Sequence, residues 1–144
     1  MDSATYRQDG RGPTLFSQGA VVAQRWSTFG LAMLRPEDLV PRYTLESANP
    51  SNRNPDTLMA FDNLPEIKKW THVAGSFDGG KAEIYVNGVL ENSDQFSHNF
   101  IEVGVTDLFM GTRGDNMSDW NFHGNLSNFR IYDRAITEAE VAEL

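Results

Sequence analysis

A chain of 144 residues, 40% of them hydrophobic, is long enough to bury one core without covalent staples. Its 20 acidic residues against 12 Lys and Arg leave a net charge of −8, which argues against binding nucleic acid through phosphate neutralisation and suits a divalent cation. There is no cysteine, which excludes disulfides, thiolate metal sites and thiol nucleophiles. No apolar run is long enough for a bilayer, so membrane insertion is not expected. Met1–Gly12 also lacks the apolar stretch of a signal peptide.

In chain order, "TLFSQGAVVA" (Thr14–Ala23) is apolar and β-rich, broken by Gly19. "FGLAML" (Phe29–Leu34) is a second strand, and "RYTLES" (Arg42–Ser47) alternates Tyr43 and Leu45 against polar neighbours. "ANPSNRNPDT" (Ala48–Thr57) reads as a loop from its Asn, Pro and Ser content. Trp70–Leu90 is the most regular stretch, with Trp70 expected in the core. Its "DGG" turn (Asp78–Gly80) places glycines where positive φ is needed, and Asn87–Gly88 signals a second turn. Between the turns, Ala82, Ile84 and Val86 face a core, while Lys81, Glu83, Tyr85 and Asn87 face partly solvated space. "DLFMGTR" (Asp107–Arg113) and Phe122–Arg134 complete the strands, the latter with a bulge near Ser127–Asn128 that rephases Phe129 and Ile131. "TEAEVAEL" is a short helix, with Thr137 and Glu140 forming a capping box. Many short strands with little helix predict an all-β sandwich or barrel.

The blocks "WTHVAGSFDGGKAEIYVNG", "LFMGTR" and "FHGNLSNFRIYDRAITEAEVAEL" resemble the laminin G-like domains of the concanavalin A-like lectin/glucanase superfamily. The resemblance implies one domain over residues 1–144, an antiparallel jelly-roll β-sandwich with a short C-terminal helix. Family members usually begin with one or two further strands. If this chain lacks them, the incomplete sheet exposes a strand edge, to be covered by a partner chain, a second copy in a homo-oligomer, or a rearranged N-terminus. Relatives often carry an acidic residue where this chain has Ser127 and Asn128.

The superfamily contains glycoside hydrolases, but the residues here do not follow their chemistry. Glycosidic hydrolysis needs two carboxylates across the scissile bond. No strand carries an E-x-D-x-E pattern, and Glu83 has no acidic neighbour at i±2. His72, His98 and His123 are scattered, and no serine sits in a nucleophile-elbow motif. A non-catalytic binding module is therefore expected, with carbohydrate as ligand. The alternative is a structural or adhesive module in a cell-surface or virion assembly, binding a surface protein. Either role places the chain outside the cell or on a surface.

"GTRGDNMSDWNF" (Gly111–Phe122) is the best local constellation. Asp115, Asn116 and Asp119 supply the hard oxygen donors that Ca2+ prefers, and Trp120 offers an apolar face to a sugar ring. Arg113 precedes Gly114 and Asp115, an adhesion-type triplet that also arises by chance. The plainer alternative is a solvated acidic turn with Trp120 folded inward. Trp26 is a candidate for glycan stacking or for rim packing, and Tyr85 beside Asn87 is a candidate sugar-binding pair on an open sheet face.

Overall fold

The computed structural model describes residues 14–18, 29–34, 42–48, 55–63, 66, 68–99, 107–112 and 121–144. Over them run β1 (Thr14–Gln18), β2 (Phe29–Leu34), β3 (Arg42–Ala48), β4 (Pro55–Met59), β5 (Val73–Asp78), β6 (Lys81–Val86), β7 (Val89–Gln95), β8 (Leu108–Met110) and α1 (Glu138–Ala142). They form a five-stranded sheet in the order β4-β3-β2-β1-β8 and a three-stranded sheet in the order β5-β6-β7. Every pair among these described strands is antiparallel.

Local sequence rules build the smaller sheet. Asp78 pairs with Lys81 across Gly79 and Gly80, whose φ values of 56° and 95° suit a two-residue turn. Val86 pairs with Val89 across Asn87 and Gly88, at φ 52° and 79°. Both turns match the sequence expectation. A register shift between Ile84 and Tyr85 interrupts the β6–β7 ladder.

The two sheets share one core. Met33, Tyr43, Leu45 and Leu58 of the larger sheet pack with Ala82, Ile84 and Val86 of the smaller one. Phe96 closes one end, and Phe77 and Phe122 pack against the cluster from the side. The sheets approach closely at Gly75, where an added Cβ would come within 2.7 Å of Leu45 Cδ1. Tyr43 belongs to this core and does not line an open face, because it shares the inward parity of Leu45 on β3.

Three local expectations give way to tertiary structure. Ala48–Thr57 is not all loop: β4 begins at Pro55, which pairs with Ala48. Pro is tolerated there because Pro55 is the first residue of β4, which ends the sheet order among the described strands. Trp70 is 68% exposed and not in the core, since it precedes β5 in an irregular segment. Among the described residues, Phe122–Arg134 is placed in neither sheet, although its composition suits a strand. The expected break near Ser127–Asn128 does coincide with a left-handed residue, Asn128 at φ 54°.

The helix follows its local signal. Thr137 is the N-cap, and Glu140 completes the capping box. Arg134 grips the Glu140 carboxylate with both terminal nitrogens, at 3.0 and 2.6 Å. The Arg134 hydrogen bonds, and then those from Thr137, pull the Glu140 carboxyl down to about 2. This cap thus stabilises the helix above the ordinary glutamate range and is lost as pH falls toward about 2.

The core makes a direct prediction. Leu45 is fully buried, so Leu45→Ala should cost about 2–5 kcal/mol of unfolding free energy in a urea titration. Val89 is exposed, and Val89→Ala should stay within about 0.5 kcal/mol. Equal losses would contradict the inter-sheet core.

Candidate functional site

Arg113, Asp115, Asn116, Asp119 and Trp120, together with Trp26, lie outside the described residues. The structure does describe both ends of the 113–120 segment. Gly111 adopts φ 72°, and its N–H donates to the Leu15 carbonyl at 3.0 Å, tying the end of β8 to β1. The Phe122 N–H returns to the Gly111 carbonyl at 2.7 Å. Thr112 Oγ1 donates to Asn121 Oδ1 at 2.6 Å. The segment therefore leaves and rejoins the sandwich at one neck, and Phe122 anchors that neck in the core. Segments held by a rigid scaffold in this way are common positions for binding groups.

Tyr85 and Asn87 are placed differently from the sequence expectation. Tyr85 is 1% exposed, so it does not line an open sheet face. Its parity does turn it away from Ile84 and Val86, but α1 lies close to this end of the sheet. A Cβ added at Gly88 would come within 3.2 Å of Ala142 Cα, and Val141 is buried. The Tyr85 hydroxyl donates to Glu83 Oε2 at 2.8 Å. Burial first, and then the Glu83 carboxylate, raise the phenol's pKa, so Tyr85 stays a neutral donor. Asn87 is a turn residue: its N–H donates to the His72 carbonyl at 2.8 Å, and its Oδ1 accepts from the His72 N–H at 3.1 Å. These contacts lock the start of β5 to the β6–β7 turn.

Glu83 also pairs with Lys81. That hydrogen bond, opposed by burial and aided by Tyr85, holds the Glu83 carboxyl below its usual range. A glycosidic general acid needs the opposite shift.

One constellation escaped sequence reading. Ser47 Oγ lies 2.8 Å from His98 Nε2, and His98 Nδ1 lies 3.1 Å from Asp56 Oδ2. Ser47 and Asp56 are direct partners across β3 and β4. His98 enters from the end of β7, stacked on Phe77 at 5.5 Å and tilted against Phe96 at 5.8 Å. The connectivity is that of a nucleophilic triad. Ser47, however, is 0% exposed near the end of the β3–β4 ladder, and a hydroxyl with no exposed surface offers no approach to a substrate carbonyl. The group therefore works as a structural clasp, joining the β7 exit to the β3–β4 pair. Ser97 completes it, donating its N–H and Oγ to Asp56 Oδ2, each at 2.7 Å. Burial pushes the Asp56 carboxyl up, but the Ser97 hydrogen bonds and His98 outweigh it, leaving the carboxyl below its ordinary range.

A shallow groove of about 270 Å³ is lined by Tyr132, Arg134, Ile136, Glu140, Glu143 and Leu144. Its Arg134 and Glu140 are engaged with each other and with Thr137, so their polar atoms serve the helix cap. Among the described residues, no group of three or more His, Asp or Glu is arranged to hold a metal ion. No helix of the described residues is long and apolar enough to cross a membrane.

The clasp gives a stability prediction. Ser47→Ala should cost about 1–3 kcal/mol, because the His98 nitrogen then lacks its buried partner. Asp56 has a lowered carboxyl pKa, so its contribution is present above the ordinary carboxylate range and lost as pH falls through the lowered value. Asp56→Asn should therefore flatten the acid limb of stability against pH, as read by urea unfolding at a series of pH values. An unchanged acid limb would contradict the clasp.

Comparisons with known proteins agree with this architecture. Residues 7–142 match a laminin G family model described as concanavalin A-like lectin/glucanases superfamily. Human usherin is 28% identical over 81 residues, which are 54% of this chain and 2% of usherin. The structure is similar to that of the native heptameric SAP-like pentraxin from Limulus polyphemus, with a TM-score of 0.67 and 21% identity over 90% of this chain. At that identity the similarity speaks for the β-sandwich fold alone. The chain spans 61% of the pentraxin chain and a far smaller share of usherin.

Proposed function

From the premise that this chain belongs to the laminin G-like family of the concanavalin A-like superfamily, we propose that it is a non-catalytic module that binds carbohydrate through the 113–120 segment. The observation that carries this reading is the neck. Gly111, Thr112, Asn121 and Phe122 hold the two ends of the segment together on a core-anchored base. In this reading, Trp120 stacks on a sugar ring, and Arg113 and Asn116 fix its orientation by hydrogen bonds. Trp26 is a secondary stacking candidate. Tyr85 takes no direct part, because it is buried. The partnered state of Glu83 and the inaccessible hydroxyl of Ser47 favour binding over hydrolysis. An extracellular or surface-associated setting fits a module that reads glycans.

Asp115, Asp119 and Asn116 are the residues that would hold Ca2+. Two carboxylates and an amide within one short segment match the oxygen donors this cation takes. Bound there, the ion would bridge the two carboxylates and supply a positive charge toward sugar hydroxyls.

A second reading, a structural or adhesive module in a cell-surface or virion assembly, draws support from the exposed apolar side chains of Leu126, Phe129, Ile131 and Tyr132.

A glycan-array screen with and without calcium tests the first reading. Specific binding that is lost in Trp120→Ala is the expected result, while binding unaffected by this change would place the site elsewhere. Calcium is tested by melting. Added Ca2+ should raise Tm, and Asp115→Ala should abolish the rise. An unchanged melting curve for the unsubstituted chain would remove the metal from the account.

A further inference from the structure

Asparagine does two different jobs in this chain, and the structure separates them. Asn63 and Asn92 donate from their side-chain amides, to Glu91 Oε1 and to the Met59 carbonyl. Asn87 Oδ1 accepts from the His72 N–H, and Asn121 Oδ1 accepts from Thr112 Oγ1. None of these four begins an Asn-x-Ser/Thr triplet, the acceptor pattern for N-linked glycans. Asn125, Leu126 and Ser127 do form that triplet. So do Asn116, Met117 and Ser118, which lie outside the described residues, whereas the proline at position 50 closes the triplet that starts at Asn49. Asn125 and Ser127 are both exposed. Among the described residues, no hydrogen bond engages the Asn125 amide.

The residues on either side of Asn125 are held close to the fold. Gly124 lies against the Phe122 ring, where an added Cβ would come within 2.6 Å of Cζ. Leu126 reaches the neck, with its Cδ1 3.7 Å from a Cβ built on Gly111. A glycan has to stay outside the fold, and buried or bonded amides resist that. Asn125 can carry one without giving up a hydrogen bond or leaving a buried site.

We propose that Asn125 is the acceptor of an N-linked glycan when the chain passes through a eukaryotic secretory pathway. The proposal rests on the extracellular setting proposed above and not on carbohydrate recognition. The donor class is an oligosaccharide carried on a lipid diphosphate. A bond forms between Asn125 Nδ2 and the anomeric carbon of the first sugar, and the bond from that carbon to the diphosphate oxygen breaks. The amide proton passes to the transferase, and the lipid diphosphate leaves. The Ser127 hydroxyl is the group the transferase reads two residues after the acceptor. Because Leu126 touches the neck, the glycan would be rooted beside Gly111, at the base of the 113–120 segment.

The test directs the full chain through a eukaryotic secretory pathway with an added signal sequence. Asn116→Gln is included, so that a single open triplet remains. The secreted protein should run as a larger species that collapses to the bare chain on peptide N-glycosidase treatment. Mass spectrometry should then find position 125 deamidated by that enzyme. Asn125→Gln and Ser127→Ala should each lose the larger species, while Ser127→Thr should keep it. Ser127→Ala leaves the asparagine in place, so its loss of sugar reads the triplet and not a change at the acceptor itself. A secreted, folded chain with an unmodified Asn125 would overturn the proposal. So would a larger species that survives both Asn125→Gln and Ser127→Ala. The added signal sequence supplies the compartment, and occupancy at position 125 is read without any glycan-binding assay, so this proposal and the proposed function fail separately.

Discussion

The packing of Leu45 and Ile84 between the two sheets is the contact on which the rest of the structure depends. Both are fully buried, and Gly75 lets the smaller sheet come close enough to Leu45 to exclude water. Every other feature hangs from that seam. Phe96 and His98 reach the β3–β4 pair because β7 runs antiparallel to β6 over the seam. The neck at Gly111 and Phe122 is fixed because Phe122 packs on the same cluster. A sandwich with this core is a stiff frame, and stiffness is what a binding segment needs from its base.

The frame also sets the surroundings of the triad-like arrangement. Ser47, His98 and Asp56 have the connectivity that activates a hydroxyl, but they sit inside the end of the sandwich under two phenylalanine rings. Such polar groups must be paired when buried, and these pair with one another and with Ser97. The arrangement satisfies hydrogen bonds where the strand ends would otherwise leave polar groups in an apolar setting.

Features set by a few neighbouring residues were legible in the sequence. The glycine turn after Asp78, the Asn87–Gly88 turn, the strand Phe29–Leu34 and the Thr137–Glu140 capping box all follow local rules, and the structure carries each of them. What was not legible depends on distant partners. Tyr85 reads as solvated from strand alternation, but a helix more than fifty residues later covers its end of the sheet. His98 lies 51 residues from Ser47 and 42 from Asp56, so no spacing rule joins them. The β3–β4 register that sets Ser47 opposite Asp56 was hidden too, because Ala48–Thr57 reads as a loop from its composition. Phe122–Arg134 has a strand's composition, yet among the described residues it is placed in neither sheet. Trp70 reads as core from its size, whereas its position ahead of β5 leaves it outside.

The proposed function has residues 113–120 recognise glycan from the base at Gly111 and Phe122, while Ser47, Asp56 and His98 take no part. An amide-resolved NMR titration of the chain with a glycan selected by array tests it most directly. Shifts confined to residues 113–120 and to the neck at Gly111, Thr112, Asn121 and Phe122, with the amides of β3, β6 and His98 unmoved, are the expected result. Shifts centred on Ser47, Asp56 and His98, or on the Tyr85 side of the smaller sheet, would contradict it.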